Sequence, residues 1–341
     1  MVIKINIKIL LLCSSILLVL ALIFSMFINS AQSVSANEEK SFIKWVDFRV
    51  SYSAMDKALK ADINSIDDEV KLNWIEILSY LGTKYGGNFT RYKSKDMDTL
   101  INKLKNGESI ESLTENLKYY DYYFEAYTAV LEGLVGPYEI QIDDENNPGK
   151  KIWVKKYGLK AFSPIAGGYY YNHYDDFGNS RSYGFSRSHL GNDLMGSIGT
   201  PIVAVETGRV EALGWNQYGG WRIGIRSLNN KRYYYYAHLR KDHPYVKSLK
   251  EGDIVYAGDV IGYLGMTGYS TKENVNNINV PHLHFGMQLI FDESQKETLA
   301  EIWIDVYNIV NLLDKNKSPV KYNSETNESE RIYNIKFHNI P

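Results

Sequence analysis

The apolar residues of this chain change their spacing once along its length, and that change limits what it can fold into. From residue 41 to about 136 they recur every three to four positions, the period of one helix face. Ile66, Val70, Trp74, Ile77, Leu78 and Leu81 predict a helix stopped by Gly82, and Met97, Leu100, Ile101 and Leu104 predict another before Gly107. Ser109 is placed to cap a third, in which Ile110, Leu113, Leu117, Tyr120, Phe124, Tyr127 and Leu131 continue without a break to near Gly133. Past Pro164 the pattern becomes short β-type runs between glycine turns, at 202–206, 209–213, 221–228, 232–238, 260–264 and 282–289, with Asn229-Asn230 as a hairpin turn. An amphipathic helix is expected over 299–313, with Ile302, Val306, Ile309, Val310 and Leu313 on one side. The expected fold is α+β and multidomain: an N-terminal apolar helix, a small all-α domain, then an antiparallel β-sheet domain.

The expected limits are 1–36 for a signal peptide or membrane anchor, 37–142 for the helical domain and 143–160 for a polar linker with a turn at Asn146-Asn147-Pro148-Gly149. The β-rich domain then spans 161–315, and 316–341 is a polar tail expected to be loosely ordered. Lys4 and Lys8 precede an apolar run from Ile9 to Ile28, and Val34-Ser35-Ala36 has the small-x-small form of a cleavage site. The run is about 20 residues, long enough to cross a bilayer uncleaved. Both readings export the remainder, to a membrane-anchored position or as a secreted protein. Cys13 is the only cysteine, so no intramolecular disulfide forms, and its place near the start of the apolar run does not suit a lipoprotein site. A net charge of -2 gives no basic footprint for nucleic acid. The 28 tyrosines fit either β-rich surfaces or a groove for a polar polymer. Tyr119, Tyr120, Tyr122, Tyr123 and Tyr127 are read as core and helix surface rather than a glycan platform.

Chemistry concentrates in the β-rich part. On a strand, His282 and His284 project from one face and Leu283 from the other. Paired imidazoles pack poorly in a core and repel when charged, whereas neutral imidazole is a common metal ligand. His189 and Asp193 lie four apart around Gly191, which lets the backbone bend so that both reach one ion. Zinc accepts both donor types, and two ligands here with one from His282 or His284 make the three protein ligands of a catalytic site. His238 ends its strand and by parity shares a face with Tyr234 and Tyr236. No His-Glu-x-x-His helix supplies a carboxylate base, so a histidine near the metal must do that work. His173, His243 and His338 are expected at the surface.

From about Phe162 to Leu289 the chain resembles the lysostaphin-type zinc endopeptidases, which cleave peptidoglycan peptides. The resemblance runs through Arg187-Ser188-His189-Leu190-Gly191-Asn192-Asp193, then Gly199 to Ala204 and Thr207 to Val210 (the family's central hairpin), Trp215 to Gly220 and Tyr236-Ala237-His238-Leu239. It continues through Glu251 to Gly262 and Gly265 to Gly268, and closes with Pro281-His282-Leu283-His284-Phe285. It implies that His189, Asp193 and His284 bind Zn2+, that His238 and His282 act on the scissile peptide, and that Tyr183 steadies the transition state. The implied partners are peptidoglycan peptides. The stretch 271–280 is longer than the family's usual connection and is expected to form a rim over the cleft. Two other functions stay open: a non-catalytic wall-binding or envelope-assembly protein on the same fold, and a peptidase acting on a secreted or envelope protein.

Overall fold

Side-chain caps set the helix limits more than the apolar stripe does. In the computed structural model, which describes residues 42–182 and 186–337, Ser51 Oγ accepts from Ala54 N at 3.4 Å ahead of helix Tyr52–Asn64. Asn73 Oδ1 accepts from Ile75 N at 2.9 Å ahead of helix Trp74–Tyr85. The stripe from Ile66 to Leu81 is therefore not one helix. Ile66 and Val70 lie in the corner between the two, where Ser65 Oγ accepts from Leu72 N at 2.8 Å and Asp62 Oδ2 from Trp74 N at 2.9 Å. Gly82 sits inside its helix rather than ending it. A Cβ there would meet the Tyr127 ring at 2.9 Å, so it allows two helices to approach closely. The helix ends instead at Gly86, with φ 60°.

Ser94–Lys105 forms as the pattern predicts, and Ser109 caps Ile110–Thr114 by accepting from Ser112 N at 3.2 Å. The unbroken helix expected from Ile110 to Leu131 is divided, however, with Tyr120–Leu131 as its second piece. Thr114 Oγ1 bonds back to Ile110 O at 2.8 Å, and tight bonds from Leu117 N to Thr114 O (2.7 Å) and Tyr120 N to Leu117 O (3.0 Å) replace the α-helical ladder between them.

The turn at Asn146–Gly149 lies between Val135–Asp143 and Lys151–Leu159, a two-stranded antiparallel hairpin. The stretch 143–160 thus provides a strand as well as a turn. The polar C-terminal stretch is also more regular than its composition predicts. Val320–Asn323 pairs with Glu328–Arg331, and Ile335–Lys336 joins the first hairpin beside Ile140. Backbone pairing needs no apolar run, and one buried anchor, Ile335 at 4% exposed, packs with Phe162 and Val203.

The main sheet is antiparallel throughout. Its path runs Ile254–Val255, Gly208–Asn216, Gly220–Ser227, Arg232–Ala237, His282–Leu289, Asn192–Met195, Asn172–His173. Ile302–Ile304 pairs with the far end of His282–Leu289. The helix expected over 299–313 is therefore a strand followed by a shorter helix, Tyr307–Leu313. Ile302 and Ile304 alternate inward around Trp303, a period of two that suits a sheet edge. Pro201–Val203 pairs with Val260–Tyr263 rather than across Thr207-Gly208, so the central hairpin that the resemblance implies is not formed by those two segments. Asn229-Asn230 does make its turn, with Asn230 at φ 61°. The readings on residues 1–36 lie outside the described residues; among the described ones no helix is long and apolar enough to cross a membrane.

The described residues from Ile43 on belong to one compact unit, and its larger apolar core takes in helix residues such as Met55, Leu78 and Tyr127 with Tyr234, Phe285 and Leu313. A buried charge cluster fastens helix to sheet. Arg232, 1% exposed, donates from Nε to Glu206 Oε2 at 2.8 Å, from Nη2 to Glu206 Oε1 at 3.0 Å and from Nη1 to Ala129 O at 2.6 Å. Tyr234 Oη donates to Glu206 Oε2 at 2.6 Å. Removing one member leaves the other charge buried and unpaired. Arg232→Leu is expected to cost about 3–5 kcal/mol in denaturant unfolding, whereas a loss under about 1 kcal/mol would show that the pair does not hold the layers together.

Candidate metal centre

The site grows out of one strand. In His282–Leu289, Leu283, Phe285 and Met287 are fully buried in the core, which turns His282 and His284 to the opposite face. The neighbouring strand Asn192–Met195 is registered with Asp193 directly opposite His284, so a carboxylate and an imidazole stand side by side. His189 comes in on the turn just before that strand. The sequence predicts Gly191 for a tight bend; in the structure it is needed because it lacks a Cβ. A Cβ there would meet Phe285 O at 2.6 Å and His284 Cε1 at 2.8 Å.

His189 Nε2, Asp193 Oδ1 and His284 Nδ1 form one cluster. His189 Nε2 lies 3.0 Å from Asp193 Oδ1 and 2.8 Å from His284 Nδ1, and His284 Nδ1 lies 3.3 Å from Asp193 Oδ1. These are close to the roughly 3.3 Å edge of a tetrahedron drawn around zinc at about 2.0–2.1 Å. His189 Nδ1 faces Asp176 O at 3.1 Å and Asp176 Oδ2 at 3.3 Å, so that nitrogen carries the proton and Nε2 presents a lone pair to the cluster. Three acceptors then converge, and they require positive charge between them. In the metal-free chain a proton supplies it. Burial alone would lower the His189 pKa, but its bonds to Asp176 and Asp193 outweigh burial and raise it to about 9. Burial raises the Asp193 carboxyl, yet its bonds to His189 and His284 hold it well below the usual carboxylate range. A metal binding here at neutral pH displaces the proton. The donor set fits zinc, and among the described residues this is the one group of three or more His, Cys, Asp or Glu whose donor atoms meet.

Sequence reading missed the layer behind these residues. Asp176 Oδ1 accepts from Asp193 N at 3.2 Å, and its other oxygen faces His189. Arg181 bridges the two acids, with Nη2 2.6 Å from Asp176 Oδ2 and 3.2 Å from Asp193 Oδ2. Both lie upstream of His189 in a polar stretch whose only cue is the Asp175-Asp176 pair.

His238 and His282 stand beside the cluster, with ring centroids 4.8 Å apart, and His282 Nε2 is 3.7 Å from Asp193 Oδ1. Each donates Nδ1–H to a backbone carbonyl at 2.8 Å, Thr267 O for His238 and Val280 O for His282. Each ring is thereby oriented with Nε2 left for the cleft. Burial, and then His282 and His284 beside it, push His238 well below the ordinary histidine range, so it is neutral at pH 7. Parity places His238 with Tyr234 and Tyr236, but the structure reverses this. The strand ends at Ala237, and His238, at φ 61°, turns to the face of Tyr235 and Ala237, while Tyr234 and Tyr236 are fully buried behind. These residues line a cleft of 230 Å3. Asn277, Ile278 and Asn279 form part of its wall, as the long 271–280 connection predicts. Tyr183 and His338 lie outside the described residues. His173 and His243 are half-buried rather than on the surface, and neither lines the cleft.

Residues 187–297 match the model of Peptidase family M23. Over this segment the chain is similar to M23 peptidases. It is 42% identical over 117 residues to the L-Ala–D-Glu endopeptidase of Bacillus subtilis (strain 168), a match covering 34% of each chain. It is 40% identical over 98 residues to lysostaphin of Staphylococcus simulans, covering 28% of this chain and 17% of that one. To the glycyl-glycine endopeptidase ALE-1 of Staphylococcus capitis it is 38% identical over 99 residues, covering 29% and 24%. The chain thus spans about a third or less of the length of these relatives. In fold it resembles a proposed glycyl-glycine endopeptidase lytM from Ruminococcus gnavus ATCC 29149, with TM-score 0.52 and 23% identity over 83% of this chain and 93% of that one. The matched M23 segment contains His189, Asp193, His238, His282 and His284; Asp176 and Arg181 precede it.

Because Asp176 orients His189, Asp176→Asn is expected to weaken zinc binding about 10- to 100-fold in a chelator competition while leaving the unfolding midpoint nearly unchanged. Unchanged zinc affinity would remove Asp176 from the site.

Proposed function

We propose that this protein is a zinc-dependent endopeptidase that hydrolyses peptide bonds in bacterial cell-wall peptidoglycan, acting outside the cytoplasm. The observation that carries this is the convergence of three protein donor atoms beside two histidines whose Nδ1–H groups are each held by a backbone carbonyl, leaving Nε2 to the cleft. His189, Asp193 and His284 would hold the ion, and three protein ligands are what hydrolytic zinc sites use, where structural sites close with four. A zinc ion held there supplies Lewis-acid polarisation of a carbonyl and lowers the pKa of water towards ~7.

The chain's own residues do the rest. His238, neutral and fixed by Thr267 O, takes a proton from the attacking water at Nε2. His282, on the same wall and fixed by Val280 O, orients the attacking water and the scissile group with its Nε2. The proton taken up is passed to the leaving amine, so water is added across the bond and no acyl-enzyme forms. That the relatives named above are endopeptidases, one of them for an L-Ala–D-Glu bond, supports the reaction class.

His284→Ala is expected to lose both zinc and the release of muropeptides from purified peptidoglycan. His282→Ala is expected to keep most of the zinc and lose at least about 100-fold in rate, the usual contribution of a positioned acid or base. Zinc content by elemental analysis and chromatography of the digest, each with and without chelator, give the readout. Normal digestion by either variant would break the assignment, and bound zinc without digestion by the native chain would favour the wall-binding reading.

A further inference from the structure

Beyond His284 the same strand face continues through Gly286 to Gln288. Tyr235 stands opposite Gly286, and Tyr233 and Trp303 flank Gln288. A groove of 410 Å3 follows this line, sharing Arg187, Tyr218, Tyr235 and His284 with the metal cleft. Gly286 lets the Leu190 carbonyl and the Trp303 ring close over the strand, since a Cβ there would meet Leu190 O at 2.8 Å and Trp303 Cζ3 at 2.9 Å, and the groove runs beside these two residues. Gln288 is 3% exposed, and its Nε2 has no hydrogen-bond partner. Buried donors are almost always satisfied, so one left unpaired in a groove wall points to an acceptor brought by a ligand.

Charge is unevenly distributed along the groove. At the far end Lys296 pairs with Glu211, and Glu301 accepts from Trp303 Nε1 at 2.7 Å. At the metal end the charges are guanidinium groups. Tyr235 pairs with Gly224, so Arg222, two residues along, lies on the same face level with Ala237 and His284. Among the described residues the Arg222 side chain pairs with no carboxylate. Arg187 donates from Nη2 to Tyr269 Oη at 2.6 Å, while its buried Nε has no partner. The Tyr235 hydroxyl lies in the field of both guanidinium groups, and Tyr233, farther along, feels Arg222 together with Glu211 and Glu297.

We infer that this groove selects a substrate with a free carboxylate next to the scissile bond, held by Arg222 with Arg187 behind it, while Gln288 Nε2 donates to a peptide carbonyl farther along. Gln288 lies four residues from His284, about 13 Å at the rise of a strand, so an extended peptide reaches both points. An all-glycine bridge has no such carboxylate. An acidic residue joined through one of its two carboxyl groups keeps the other free. The inference rests on the peptidase reading, and it places this chain among enzymes of acidic stem peptides rather than of glycine bridges.

The test is calorimetric titration of the zinc-loaded full chain with two probes, acetyl-L-Ala-D-Glu γ-amide, with one free carboxylate, and the corresponding diamide. Products are followed by mass spectrometry. The native chain is expected to bind the acid at least about tenfold more tightly than the amide, the strength of a charge-assisted bond. Arg222→Gln should remove that preference by weakening the acid alone. Equal binding of the two probes by the native chain, or a preference that survives Arg222→Gln, overturns the inference. The comparison on the native chain stands whether or not the variant folds. Preferential binding with no cleavage of either probe or of peptidoglycan supports the carboxylate site and counts against the peptidase reading, so the two fail separately.

Discussion

His189 Nε2, Asp193 Oδ1 and His284 Nδ1 stand 2.8 to 3.3 Å apart with their lone pairs turned towards a common point. Acceptors do not gather this closely unless positive charge sits among them, so the rest of the fold must hold together a cluster that would otherwise spread apart. The strand pairing of His284 with Asp193 fixes two of the three donors, because neither can move without shifting the ladder. Burial of Leu283, Phe285 and Met287 fixes that ladder in turn: a one-residue slip would put His284 in the core and leucine in the cleft. Gly191 brings the third donor close enough by leaving out a side chain.

The groups around the cluster fall into two kinds. Asp176 and Arg181 are charged; they add a negative group behind His189 and a positive one against both acids, tuning how strongly the cluster attracts a cation. His238 and His282 are set differently, each by one backbone carbonyl. A carbonyl fixes the ring and its Nδ1 proton without bringing a full charge, which leaves Nε2 of each ring for the cleft. What each Nδ1 faces separates these histidines: a carboxylate and its backbone for His189, a lone peptide oxygen for the other two.

What could be read from the sequence follows from period. His-Leu-His on a strand states its own geometry, since alternation puts both rings on one face, and the strand at 282–289 is found at those limits. His189 and Asp193 needed the partner strand as well, which only the family resemblance supplied. His238 was misplaced because a single left-handed residue after Ala237 reverses the alternation, and nothing in Tyr-Ala-His-Leu marks that reversal. Asp176 and Arg181 gave no signal, because a polar loop residue acquires its role only when the chain returns to meet it. The helix limits were misjudged where Asp62, Ser65 and Asn73 take over backbone donors, a local competition that an apolar stripe does not register. The polar C-terminal strands were missed because they pair through backbone with few buried side chains.

The strand Arg232–Ala237 connects the helices to the chemistry, and its two ends do different work. At the first, Arg232, its guanidinium held by Glu206, donates to Ala129 O and ties the Tyr120–Leu131 helix to the sheet. At the other, Ala237 lies opposite His284 and the chain turns to present His238. His238 lies six positions beyond Arg232, about 20 Å along a strand. The helices thus grip the sheet at a distance from the cleft, and among the described residues no side chain from 43–134 lines either the metal cleft or the groove beside it. A helical layer placed this way cannot act by plugging the site. What it can do is bury the back of the strands, where Tyr234, Tyr236 and Phe285 need cover, and so keep in register the one strand pair on which the metal donors depend.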